Sequence, residues 1–139
     1  MSENADKTGQ CLCGNISYRL KSDPQMTVLC HCKNCQRQAG SVLSIIAGVP
    51  QGDVEISGEV KTYNDSGDSG GDVLRQFCPE CGSPMFTLAD QAPGLIFIKA
   101  GTLDDTSWLE PSVQFYTKSK QHWLELEGIP GFEGNPPAA

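Results

Sequence analysis

Seven cysteines in three tight groups constrain this chain more than any other feature of its sequence. Cys11 and Cys13 form a C-x-C, Cys30, Cys32 and Cys35 form a C-x-C-x-x-C, and Cys78 and Cys81 form a C-x-x-C. Such spacing lets sulfurs converge on one ion at about 2.3 Å with no strain in the backbone between them. The same spacing makes a poor disulfide, because bridging near neighbours demands unusual geometry. An odd count points the same way, and a reducing compartment is expected. Thiolates select zinc, copper(I) or iron, and zinc is the usual cytosolic occupant of a four-sulfur cage.

The ligands divide as four plus three. The C-x-x-C of FCPECGSPMF, with Pro79 after its first cysteine and Gly82 after its second, is a turn of zinc-ribbon type that needs a partner pair. A closed structural site takes four protein ligands, whereas a catalytic one takes three and keeps a position open. Cys11, Cys13, Cys78 and Cys81 are therefore assigned to a structural zinc, and Cys30, Cys32 and Cys35 to a second, open zinc. Buried free thiols are the alternative for the first set. A redox thiol cluster, or closure by His31 as a fourth ligand, is the alternative for the second. Neighbours in an extended ligand loop point apart, so His31 is expected beside the site or facing solvent.

The 139-residue chain has a net charge of −7, which repels nucleic acid and anionic membranes at long range. No run approaches the roughly 18 apolar residues of a transmembrane helix, and MSENADKTGQ lacks the apolar core of a secretory signal. One soluble, cytoplasmic domain is expected, over residues 8–133, with flexible ends at 1–7 and 134–139. Strand patterns cover Ile16 to Leu20, Val42 to Gly48 (buried on both faces), Val73 to Phe77, Met85 to Leu88, Leu95 to Lys99 and Val113 to Thr117. Val54 to Ile56 and Val60 to Tyr63 bracket Ser57-Gly58-Glu59 as a hairpin, and Asn64 to Asp72 is an exposed polar turn. Lys33 to Ala39, stopped by Gly40, is the only helix candidate, so the domain is mainly β, stapled by metal.

Read in order, GQCLCGNISYRL, LCHCKNCQRQAGS, FCPECGSPMF, IKAGTLDD and FYTKSKQHWLEL resemble the glutathione-dependent formaldehyde-activating enzyme family, whose domain also occurs in centromere protein V. The resemblance covers about residues 8 to 133. It implies small antiparallel sheets stapled by zinc in a β-tent fold, similar to that of methionine sulfoxide reductase B. It also implies a structural zinc on the C-x-C and C-x-x-C pairs, a catalytic zinc on Cys30, Cys32 and Cys35, and a carbon–sulfur lyase joining glutathione to formaldehyde.

Three thiolates leave a divalent zinc with a net charge of −1, which makes its bound water a poor source of hydroxide and suits an incoming thiolate instead. That thiolate would attack an aldehyde held beside it and give a hemithioacetal. Glutathione is an anion, so local cations must receive its carboxylates: Lys33 and Arg37 beside the metal loop, and Lys118 and Lys120 in YTKSK. Gln36 is a candidate for positioning a carbonyl oxygen or a water. Trp108 and Trp123 are rim or core aromatics that can wall a pocket, and His122 is an edge residue rather than a base. A zinc-stapled ligand- or protein-binding module without catalysis is the alternative reading, favoured by the lack of an obvious general base.

Structural zinc contributes roughly 10–16 kcal/mol in small domains, comparable to the whole stability of a fold this size. Removing it with a strong chelator, or with Cys81→Ser, is expected to unfold the domain. A cooperative thermal transition that the chelator leaves in place would contradict this.

Overall fold

The computed structural model describes residues 7–66 and 71–134. Ten strands and one helix follow in order: β1 Lys7–Gln10, β2 Ser17–Leu20, β3 Met26–Cys30, α1 Lys33–Ala39, β4 Ser44–Pro50, β5 Val54–Ser57, β6 Lys61–Ser66, β7 Asp72–Phe77, β8 Pro84–Ala89, β9 Leu95–Lys99 and β10 Val113–Phe115. They form a three-stranded sheet, β1-β2-β5, and a seven-stranded sheet, β10-β3-β4-β9-β8-β7-β6. Every pairing is antiparallel except β10 with β3.

Side chains alternate across a strand, so the register sorts the larger sheet into two faces. Ala47 pairs with Ile98, Val49 with Ile96, and Phe86 with Ile98, which sets these apolar residues on one face. That face packs on Tyr18 and Leu20 of the smaller sheet, and on Ile16 just before β2, to make the core, with the Tyr18 and Phe86 rings edge to face at 5.5 Å. The same registers send Cys30, Ser44, Ile46, Phe97, Lys99, Thr87 and Arg75 to the opposite face. The apolar face holds the fold, and the other is left for polar groups.

The helix occupies Lys33–Ala39 as the sequence implies, and the reason is local. The Cys32 side chain accepts from the Cys35 amide at its start, and Gly40 ends it with a left-handed φ of 65°. Four expectations need correction. The segments Val54 to Ile56 and Val60 to Tyr63 are not a hairpin: β5 pairs with β2 and β6 with β7, so the chain crosses between sheets at Gly58, where φ is 101°. Asn64, Asp65 and Ser66 continue β6 opposite Leu74, Val73 and Asp72; the 67–70 part of the expected turn lies outside the described residues. The run from Val42 is not buried on both faces, since Val42 and Ile45 are exposed and the strand begins at Ser44. The strand from Val113 stops at Phe115 because Tyr116 turns left-handed, with φ 59°. Beyond it the chain returns alongside β10, bridging Gly131 to Gln114.

Gly9 lies opposite Tyr18 in the β1–β2 register, and a Cβ there would collide with the Tyr18 hydroxyl and the Thr102 carbonyl. Overpacking of this kind typically costs about 1–3 kcal/mol. Gly9→Ala is expected to lose that much in denaturant unfolding, and a loss below about 0.5 kcal/mol would contradict the packing.

Candidate metal centres

The four-cysteine set comes from two turns of matching design. After Cys11 the chain reverses between β1 and β2, with Gly14 at φ 84°, and after Cys78 it reverses between β7 and β8, with Gly82 at φ 80°. These dihedrals belong to glycine, because a Cβ disfavours the left-handed region. Backbone amides point at the sulfurs: Ile16 N–H donates to Cys11 Sγ at 3.2 Å and Glu80 N–H to Cys78 Sγ at 3.4 Å. The Leu12 amide donates to Ser83 Oγ at 3.0 Å and ties one turn to the other.

The four sulfurs converge within 4.8 Å of one another. Cys11 and Cys13 Sγ are 3.6 Å apart, and Cys13 and Cys78 Sγ 3.7 Å. A tetrahedral ion at about 2.3 Å from each sulfur sets neighbouring sulfurs about 3.8 Å apart, so the cluster fits such an ion. The cysteines are free thiols rather than disulfides. Their charges are unequal. The Ser83 hydroxyl and amide hold Cys81 down to about 5. At Cys13 the Asn15 amide favours the thiolate but is outweighed by burial and by Cys11, Cys78 and Cys81, which push it up to about 12. Four thiolates cannot ionise together this closely without a cation among them.

Cys30, Cys32 and Cys35 likewise converge within 4.8 Å of one another. Cys30 ends β3, Cys32 caps α1, and Cys35 lies in its first turn. No fourth His, Cys, Asp or Glu joins them among the described residues. His31 is completely buried and does not face solvent. Its Nε2 donates to Gln114 Oε1 at 2.8 Å, an orientation fixed because the Gln114 amide donates to the Ile129 carbonyl. The imidazole therefore stays out of the sulfur cluster, and its Nδ1 is buried without a partner among the described residues.

The polar face of the large sheet brings cations to this trio that the sequence reading did not single out. Both Nη atoms of Arg75 lie 3.9 and 4.0 Å from Cys35 Sγ, while its Nε holds Asp65 at 2.8 Å. Lys99 is buried and donates to Ser44 Oγ at 2.7 Å, one strand from Cys30. Hydrogen bonds from Cys30 and Cys32, joined by Arg75 and Lys99, overcome burial and hold Cys35 down to about 2. Hydrogen bonds with Cys32 and Cys35 push Cys30 up, with burial adding to them. Burial lowers Lys99 to about 8, although the three cysteines favour its charge. The signal in the sequence is a charge at an inward position of a strand: Arg75 inside VLRQF, and Lys99 in phase with Leu95 and Phe97.

The other candidates scatter around the trio. Lys33 and Arg37 are exposed on α1, four residues apart and so on one side of the helix. Gln36 is buried with its amide fully engaged: Nε2 donates to the His31 and Ser119 carbonyls at 2.7 and 3.1 Å, and Oε1 accepts from Gln121. Lys118 is exposed, 5.9 Å from the Tyr116 ring, and Lys120 donates to the Leu124 carbonyl and pairs with Glu125. Trp123 and His122 are exposed. Trp108 walls an open cleft of about 290 Å³ with Lys7, Asp23, Met26 and Glu110, and no cysteine lines it.

The profile of the glutathione-dependent formaldehyde-activating enzyme family matches residues 6–119. The chain belongs to that family. Relatives carrying this activity as a provisional name include one from Talaromyces marneffei, 29% identical over 112 residues, and one from Aspergillus flavus, 25% identical over 114 residues. Each alignment covers 78% of this chain and 59% of the relative, so the chain spans well under two thirds of their length. A crystal structure of a Rhodobacter sphaeroides protein superposes with a TM-score of 0.56 at 16% identity, covering 90% of this chain and 99% of that one. It shares the fold. The two cysteine clusters of this family member can hold metal ions, and none of its described helices is long and apolar enough to cross a membrane.

Residues that orient or charge-balance a metal ligand typically change metal affinity by about 10–100-fold when removed. Arg75→Met is expected to weaken metal binding at the trio by that factor in chelator competition, with the four-cysteine site unaffected. Equal loss at both sites, or none at either, would contradict the arrangement.

Proposed function

We propose that the protein is a zinc-dependent carbon–sulfur lyase-type enzyme, adding a thiol such as glutathione to a small aldehyde such as formaldehyde. The single observation that carries this reading is the trio Cys30, Cys32 and Cys35, which converges without a fourth protein ligand among the described residues and lies against the buried cation Arg75. Cys11, Cys13, Cys78 and Cys81 hold a structural zinc in this reading, and Cys30, Cys32 and Cys35 hold the reactive one. Zinc bound at the trio supplies a soft Lewis-acid position, open to one exogenous sulfur.

The chain's own residues do the rest. Arg75, braced by Asp65, offsets the negative charge of a sulfur-rich shell and makes room for the charge of an incoming thiolate. Lys33 and Arg37 present two cations on the solvent side of α1, close in sequence to the ligands at 32 and 35 but turned away from Cys35, and receive the outlying carboxylates of a peptide thiol. Lys118 adds a third exposed cation. Lys120 is engaged with its own loop, and both Gln36 amide hydrogens are taken, which leaves Gln36 only a second lone pair on Oε1 to accept from a substrate or a water. Holding thiol and aldehyde together turns a bimolecular addition into a local one. Small-molecule thiol and aldehyde are the partners, in a cytoplasmic setting.

Thiols add to formaldehyde unaided, so the test is acceleration above that background. Wild-type protein is expected to accelerate equilibration of glutathione and formaldehyde with the hemithioacetal. Cys35→Ser should stay folded and fall to the background rate. Wild-type protein at the background rate, or Cys35→Ser at the wild-type rate, would contradict the proposal.

A further inference from the structure

A lysine is rarely buried without a carboxylate beside it, because an isolated ammonium gives up its hydration. Lys99 is 6% exposed, and among the described residues no carboxylate lies within ion-pair distance of it. Arg75, the other cation at the trio, differs in this respect, being tied to Asp65. The register places Lys99 opposite Ile46 on β4, and Ser44, two residues back on the same face, opposite Cys30 on β3. The bond from Lys99 Nζ to Ser44 Oγ therefore draws the ammonium along β4 toward the end of β3 where the trio begins. An ammonium has three donors, and Ser44 takes one of them.

We infer that Lys99, positioned by Ser44, donates the hydrogen bond that receives the aldehyde oxygen as the thiol adds to the carbonyl carbon. The inference rests on the thiol-addition reading given above. The thiol releases its proton to solvent when it binds. The sulfur electron pair then forms the C–S bond, and the π pair of the carbonyl moves onto oxygen. That oxygen accepts an N–H bond from Lys99 and takes a proton from solvent, leaving a neutral hemithioacetal, with nothing oxidised or reduced. Because the oxyanion develops only as the bond forms, Lys99 acts on turnover rather than on thiol affinity.

The experiment compares zinc content, thiol affinity by calorimetry and steady-state kinetics in wild type, Lys99→Met, Lys99→Arg and Ser44→Ala. Formate binding is measured in parallel, its carboxylate oxygen standing in for the developing alkoxide. Lys99→Met is expected to lower kcat by about 10²–10³-fold, with zinc content and the KM for thiol little changed. Lys99→Arg recovers part of the rate, Ser44→Ala loses about tenfold, and formate binds Lys99→Met at least about tenfold more weakly than wild type. An unchanged kcat in Lys99→Met, a loss that follows zinc content or thiol affinity, or formate bound equally by wild type and variant would overturn the role. Should Lys99→Met fail to fold, full kcat in both Lys99→Arg and Ser44→Ala would overturn it instead. Wild-type protein without acceleration defeats the thiol-addition reading, and this role with it. Formate binding that still depends on Lys99 would then mark an anion site and no more.

Discussion

The structure turns on four sulfurs drawn to one point from two turns that lie 65 residues apart in the chain. Each turn needs a glycine at positive φ to bring its cysteines round, at Gly14 and Gly82. Together they fasten the β1–β2 end of the small sheet to the β7–β8 end of the large one. Thiolates this close repel one another, so a cation among them turns a repulsive cluster into a clasp. With the two sheets held there, Tyr18 and Leu20 meet Phe86 and Ile98, and the described residues gain a core with one short α-helix.

That clasp frees the other face of the large sheet. On that face Arg75 reaches Cys35, and Lys99 reaches Ser44, which lies opposite Cys30. A sheet face carrying two buried cations would be costly in an ordinary domain. Here Cys35 and Asp65 both answer Arg75, and Ser44 takes a hydrogen bond from Lys99. The two cysteine clusters thus divide the labour: one has four ligands and lies between sheets, the other has three and sits at the end of a strand beside unspent hydrogen-bond donors.

The sequence revealed what is local and missed what is not. The sulfur groupings, the Lys33–Ala39 helix with its Cys32 and Gly40 ends, and the strand at Leu95–Lys99 all carry their signals within a few residues. The false hairpin at Ser57 to Glu59 shows the limit, since its flanking strands look adjacent yet belong to different sheets. Partner choice depends on segments tens of residues away, as when β5 joins β2. Lys99 and Arg75 were hidden for the same reason: whether a strand residue faces core or site depends on register, and register is set by the neighbouring strand. Gln36 beside Cys35 is the converse, close in sequence yet engaged in holding the chain at Ser119 and Gln121.

The four-plus-three geometry lets each cysteine cluster of this family member hold a metal ion, and the function proposed above needs both sites filled, with the second open to chemistry. Elemental analysis of freshly reduced protein, for wild type and Cys35→Ser, tests it most directly. Two zinc ions per chain are expected in wild type, and one in a Cys35→Ser variant that remains folded. One zinc in wild type, unchanged by Cys35→Ser, would contradict it.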